Sequence, residues 1–259
     1  MNDREYEIMF RREDAYWWYR GMRAVTRAFA PRVFSRERGG LALDAGCGTG
    51  RNLVELAAGG PAVGVDRSLR ALGFARRRGA APLVCASVEA LPFAKGAFAA
   101  VLSRDVLYMV PDDALAVRET ARVLAPGGTL ALSAPAFDAL AGAHDVAVGA
   151  LRRYTAPGIE RLFEEAGLSV RRCSYANFFL AAPIWFLRKV TGRRARGRPR
   201  EEVRSDFGLA PEPLEEILFL LLSLEARLLD AGVNLPFGVS AFVVAEKPGP
   251  GQGTRDEAK

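Results

Sequence analysis

From residue 41 onward, short apolar runs alternate with helix-like stretches, and glycines or acids divide them. No other feature of the sequence narrows the fold as far. Apolar runs of this length, bounded by turn residues, predict buried strands at 41–45, 62–65, 83–85, 99–103, 129–134, 168–174 and 239–246. The stretches between them predict helices at 52–58, 68–78, 112–124 and 157–166, with glycines at 59, 60, 79 and 167 where helices should stop. Strands that alternate with helices pair in parallel through right-handed crossovers. The expected architecture is therefore α/β: a doubly wound, seven-stranded, mostly parallel sheet with a helical insertion before its last strand. Ligands of such sheets sit outside the carboxyl ends of the strands.

The chain has 259 residues, half of them apolar, enough for one well-buried core and short for two ordinary domains. A single domain is expected over 1–247, with a helical lead at 1–40 and a helical cap at 176–238. The glycine-rich end, 248–259, has the composition of a disordered tail. Residues 5–30 read as helical and crowd Tyr6, Phe10, Tyr16, Trp17, Trp18 and Tyr19 together. Residues 135–156 form a long link after the fifth strand, and links of that length are usually functional or disordered.

Several function classes are disfavoured. Cys47, Cys85 and Cys173 form no CxxC pair, and His144 is the only histidine, so no metal site is expected. Unpaired cysteines fit a reducing, cytoplasmic setting. Residues 1–7 mix acids and bases with no apolar core behind them, so no secretory leader is expected, and no run of about 20 apolar residues predicts a membrane-spanning helix. The net charge of +6 is local: residues 188–200 hold seven bases and no acid, and without them the balance would be −1.

The most informative residues are Leu41 to Gly50, where a strand runs into Asp44-Ala45-Gly46-Cys47-Gly48-Thr49-Gly50. Glycine lets the chain turn sharply and a ligand approach the backbone. The free amides of the following helix favour electron-rich groups. A dinucleotide loop, GxGxxG, would need glycine at position 51, which is Arg51, and a phosphate-cradling GxxxxGK[ST] loop is missing too. Asp66 closes the second strand 22 residues after Asp44, where a carboxylate can accept both hydroxyls of a ribose.

These residues resemble the class I methyltransferases that use S-adenosylmethionine, which share a Rossmann-like fold. The resemblance rests on DAGCGTG with Asp66, on Ala90-Leu91-Pro92-Phe93, on Phe98 to Val101 with Asp105-Val106-Leu107, and on Arg122 to Gly128, in that order. It implies S-adenosylmethionine as cofactor, held by Asp44, Gly46, Cys47, Gly48, Gly50, Asp66, Arg67, Ser87, Val88 and Arg104. Ser87 stands where the family carries an acid against the adenine, and Tyr108-Met109 replace a strand-four segment that often ends in histidine. Arg20, in a lead helix that is similar to one branch of the family, would meet the methionine carboxylate. The rival reading is a helix merely packed on the sheet by its tryptophans.

The methyl donor is already activated, so such an enzyme needs mainly alignment, plus a base if the acceptor is a hydroxyl. His144 and Asp145, followed by Arg152, Arg153 and Tyr154, resemble an HD…RRY stretch of the same branch and are the candidate catalytic pair. A capping role is the alternative. The expected acceptor is a small or lipid-linked molecule, methylated at oxygen. Nucleic acid is disfavoured, since Ser103-Arg104-Asp105-Val106 replaces the (N/D)PPY motif of DNA amine methyltransferases. Aromatic residues at 178–187 beside the basic run suit peripheral contact with anionic lipid, or else a cap helix with a solvated loop. A non-catalytic cofactor-binding regulator is the alternative function.

Overall fold

The computed structural model describes residues 3–79, 82–195 and 211–249. The chain opens with helices α1 (Asp3–Arg12), α2 (Trp17–Phe29) and the single turn α3 (Pro31–Phe34), which Pro31 starts. There follow β1 (Ala42–Ala45), α4 (Arg51–Ala58), β2 (Ala62–Asp66), α5 (Leu69–Arg77), β3 (Leu83–Cys85), β4 (Phe98–Arg104), α6 (Asp113–Val123) and β5 (Leu124–Pro135). The second half comprises α7 (Ala143–Val148), α8 (Ala156–Glu165), β6 (Ser169–Ala176), α9 (Phe178–Ala195), α10 (Glu212–Asp230) and β7 (Ser240–Glu246). Polar caps start the crossover helices. Ser68 accepts from the Ala71 amide, Asp112 from Leu115 and Thr155 from Gly158, each satisfying an amide of the first turn.

The strands form one sheet in the order β3-β2-β1-β4-β5-β7-β6, parallel except for β7, which runs antiparallel to both β5 and β6. The expected doubly wound, mostly parallel, seven-stranded architecture is therefore observed. Successive strand residues face opposite sides. Leu43, Val101 and Leu130 pack with Val117, Ile159 and Phe163 on one face, while Ala42, Ala100 and Leu102 meet Val33, Leu53 and Leu56 on the other. Both faces are covered, which is why the central strands read as near-continuous apolar runs. Strand order reverses at β1, between β2 and β4, and leaves a crevice beyond their carboxyl ends.

Two expectations need adjustment. The Pro126-Gly127-Gly128 turn does not precede the fifth strand but lies within it. Leu124 pairs with Phe98, the register then shifts, and Thr129 pairs with Ala100. The turn is retained because Gly127 and Gly128 exchange backbone hydrogen bonds with Lys247 (2.8 and 3.1 Å), after the end of β7. The expected tail lies outside the described residues from 250 onward, as does the basic run from 196.

The insertion between β6 and β7 is helical, as expected. Gly21 of α2 and Leu222 of α10 meet so closely that a β-carbon on Gly21 would lie 2.3 Å from the Leu222 Cδ1. Buried Glu225 of α10 accepts the amides of Asn177 (2.6 Å) and Phe179 (3.1 Å), which fastens the start of α9 to α10. No helix among the described residues is long and apolar enough to cross a membrane.

Candidate active site

A cavity of about 1000 Å³ opens at the carboxyl ends of β1, β2 and β4, bordered by α1, α2, α7, α9 and α10. Its floor is the glycine loop. The amides of Gly46 and Cys47 both donate to the Val65 carbonyl (2.8 Å each), which folds the loop over the end of β2. Gly46 has φ of 86°, and a β-carbon there would come within 2.2 Å of the Val106 side chain, so no other residue fits without moving the wall.

Asp66 ends β2 in the cavity wall. Its Oδ2 accepts the Gly48 amide and its Oδ1 the Ser68 amide, both at 2.9 Å. Burial pushes its carboxyl up from the usual range, and those two amides pull it back. Each oxygen keeps a lone pair for a hydroxyl on the cavity side. Asp44 lies behind the loop, fully buried, and neither carboxylate oxygen has a hydrogen-bond partner among the described residues. Burial pushes its pKa up to about 7, against the opposing charge of Arg104. A cationic ligand group over the glycine loop would relieve this uncompensated carboxylate.

Of the residues expected around a cofactor, Gly46, Cys47, Gly48, Asp66, Arg67, Ser87, Val88 and Arg104 line this one cavity. Asp44 and Gly50 stand behind it, Gly50 as the first residue before α4. The Cys47 thiol is held far above its usual range by burial, so it packs as a neutral group. The Ser87 hydroxyl donates to Glu89 Oε2 and accepts the Glu89 amide (3.2 Å each), a local turn.

Arg20 is not among the cavity-lining residues. Its guanidinium stacks 3.9 Å from the centre of the Phe219 ring and pairs with Glu216 at 2.9 Å, so it fastens α2 to α10. Arg23, nearly one helical turn on, lines the cavity instead.

The expected catalytic pair divides in the same way. His144 lines the cavity, half-buried, and burial pushes its pKa down to about 4, with Asp145 opposing the shift. Asp145 faces away. Arg153 grips it at 2.8 and 2.9 Å, and its Oδ2 accepts the Gly142 amide at 2.7 Å. Neighbouring residues of a helix project about 100° apart, and here His144 lines the cavity while Asp145 does not. Asp145, expected as the catalytic partner, caps α7 and is the counter-ion of Arg153. Arg152 is likewise engaged, pairing with Asp113 at 2.8 Å.

The α1–α2 loop supplies residues that the sequence reading missed. Glu13, 5% exposed, accepts from the Thr49 hydroxyl at 2.6 Å and pairs with Arg78 at 3.0 Å. Asp14 bridges Arg78 (2.6 Å) and Arg51 (2.7 Å). Arg23 donates to the Glu13 carbonyl. These bonds stitch the aromatic lead onto the glycine loop and carry Tyr6, Met9 and Tyr16 into the cavity wall. Asp105, with φ of 54°, also lines it, and such positive φ in a non-glycine residue recurs at functional sites. Arg23 was findable as the basic residue one turn after Arg20. Glu13 was not, because Thr49 and Arg78 lie far along the chain.

The chain is similar in sequence and fold to known proteins. Residues 43–132 match the family described as "Methyltransferase domain". The protein Rv2003c of Mycobacterium tuberculosis is 39% identical over 153 residues, 55% of this chain and 50% of the relative. This chain thus spans about half the length of the curated relatives it matches first. A S-adenosylmethionine-dependent methyltransferase from Thermotoga maritima superposes with a TM-score of 0.58 at 18% identity, over 94% of this chain and 95% of that one. The geranyl diphosphate C-methyltransferase of Streptomyces coelicolor, solved with S-adenosylhomocysteine, gives 0.59 at 15% identity, over 87% and 79%.

Proposed function

We propose, from the premise that this chain carries the class I S-adenosylmethionine-dependent methyltransferase domain, that it transfers a methyl group from S-adenosylmethionine to the hydroxyl of a small or lipid-linked acceptor. One observation carries the reading: the glycine loop, Asp66 and His144 line a single cavity. At about 1000 Å³ it sits at the upper end of ligand pockets, with room for a cofactor and an acceptor together.

The residues present fit the cofactor. Asp66 suits the ribose diol, the backbone of Gly46 and Gly48 the methionine part, and Arg23 its carboxylate. Arg67, Ser87 and Val88 border the purine end. Asp44 supplies negative potential beneath the charged part. When bound, S-adenosylmethionine supplies a methyl group activated by a sulfonium, so the protein's share is orientation, exclusion of water and proton removal.

Burial holds the His144 pKa near 4, so its imidazole is neutral in the physiological range and offers a nitrogen lone pair to the acceptor's hydroxyl, although the lowered pKa makes it a weaker base. The acceptor side of the cavity is apolar, with Trp17, Trp18, Leu180, Ile184 and Leu218 in its wall. That lining supports an acceptor with a hydrocarbon body.

Calorimetric titration with S-adenosylhomocysteine tests the cofactor half. Binding is expected to weaken at least about tenfold in Asp66→Ala, the loss of one charge-assisted hydrogen bond. Unchanged affinity would remove Asp66 from the site. Release of S-adenosylhomocysteine during screening of apolar hydroxyl compounds then tests turnover.

A further inference from the structure

The cap helices α9 and α10 turn large apolar side chains outward as well as inward. On α10, Leu214, Ile217, Leu220 and Leu224 are 43%, 55%, 64% and 46% exposed. At 100° per residue these four fall within a stripe about 120° wide, the width of a packing face. On α9, Trp185 and Phe186 are 44% and 67% exposed. Apolar surface gathered on two adjacent elements of the same insertion marks an interaction site.

Charge selects the occupant. Arg188 turns inward, lining the cavity and donating to the Leu140 carbonyl, but beyond it the sequence of α9 carries Lys189, Arg193 and Arg194 without an acid, followed in the sequence by Arg196, Arg198 and Arg200. Of the five acids of α10, Glu216 pairs with Arg20 and Glu225 holds the start of α9, while Glu212, Glu215 and Asp230 lie towards the two ends of the helix and outside its exposed apolar stripe. An anionic bilayer would meet both features, since exposed aromatic and aliphatic residues beside a basic stretch are what interfacial binding needs.

We infer that the outer faces of α9 and α10 dock this protein on the surface of an anionic lipid bilayer. No described helix is long and apolar enough to cross it, so the contact is peripheral. The same two helices place Leu180, Ile184, Leu214 and Leu218 in the cavity wall, so the docked face adjoins the acceptor side. That deepens the proposed function by giving a lipid-linked acceptor a route that avoids water, although docking itself does not depend on methyl transfer.

The test is co-sedimentation of the full chain with vesicles of phosphatidylcholine containing phosphatidylglycerol, and with vesicles of phosphatidylcholine alone. The anionic vesicles are expected to bind at least roughly tenfold more protein, and less at high salt. The triple variant Phe186→Ser, Ile217→Ser, Leu220→Ser should lose binding by roughly tenfold or more. Its affinity for S-adenosylhomocysteine should stay unchanged, which shows that it is folded and separates docking from the cofactor site. Equal binding to both vesicle types, no binding to either, or full binding by the variant would each overturn the inference. A dimer in solution that the variant abolishes, without vesicle binding, would assign the face to a second copy instead.

Discussion

Replacing Asp44 by asparagine is expected to stabilise the ligand-free protein at pH 8 and not at pH 5. Asp44 is fully buried and neither oxygen has a hydrogen-bond partner among the described residues. Burial raises its pKa from 3.8 to about 7. A carboxyl with a raised folded pKa destabilises the fold once the unfolded state can ionise and the folded state resists. The penalty is absent below pH 3.8, grows through the interval, and is complete above about pH 7. A gap of about three pH units corresponds to about 4 kcal/mol at 1.36 kcal/mol per unit. Asparagine removes the charge but leaves an unpaired amide, which costs about 1–3 kcal/mol. The net gain at pH 8 is therefore about 1–3 kcal/mol, or several degrees in Tm at about 2–4 °C per kcal/mol. At pH 5 most of the penalty has gone, and the variant should be level with the parent or below it. Thermal unfolding of both proteins at the two pH values reads this directly. A variant less stable than the parent at pH 8 would refute the reasoning, because it would mean that the carboxylate is already paired.

Three further outcomes follow from the same geometry. With the His144 pKa near 4, kcat should be level between pH 6 and 8, and His144→Ala should lower it by about 10²–10⁴. Full turnover in the variant would discard the base, and a limb near pH 6.5 would show that His144 titrates at its ordinary value and not near 4. Asp145→Asn should cost about 3 kcal/mol, read as a lower Tm, because it removes the counter-charge of Arg153, which is 4% exposed and keeps only the Ala136 carbonyl and one amide oxygen as acceptors. Gly21→Ala should destabilise by about 1–3 kcal/mol, since its β-carbon would lie 2.3 Å from buried Leu222. At an open helical site the same change would stabilise, so the sign of the Tm shift is the check.

Sequence alone determined the sheet and the cofactor loop of this protein. Period, turn residues and helix stops act within a few positions of one another, so strand order class, crossovers and the run from Asp44 to Gly50 were legible, as was Asp66 at the end of β2. The same locality limited the reading at the site. Arg20 and Arg23 are equivalent in composition, and only the packing of α2 on α10 decided which one reaches the cavity. His144 and Asp145 are adjacent in the chain, and only the fold showed that Arg153 and the Gly142 amide engage Asp145 while His144 lines the cavity. Glu13 joined Thr49 and Arg78 across long stretches of chain, and the β-bulge at Gly127 depended on Lys247 beyond the last strand. Such decisions belong to the tertiary structure because burial, pairing and pKa are set by neighbours in space, and those neighbours are brought together only when the sheet closes over its core.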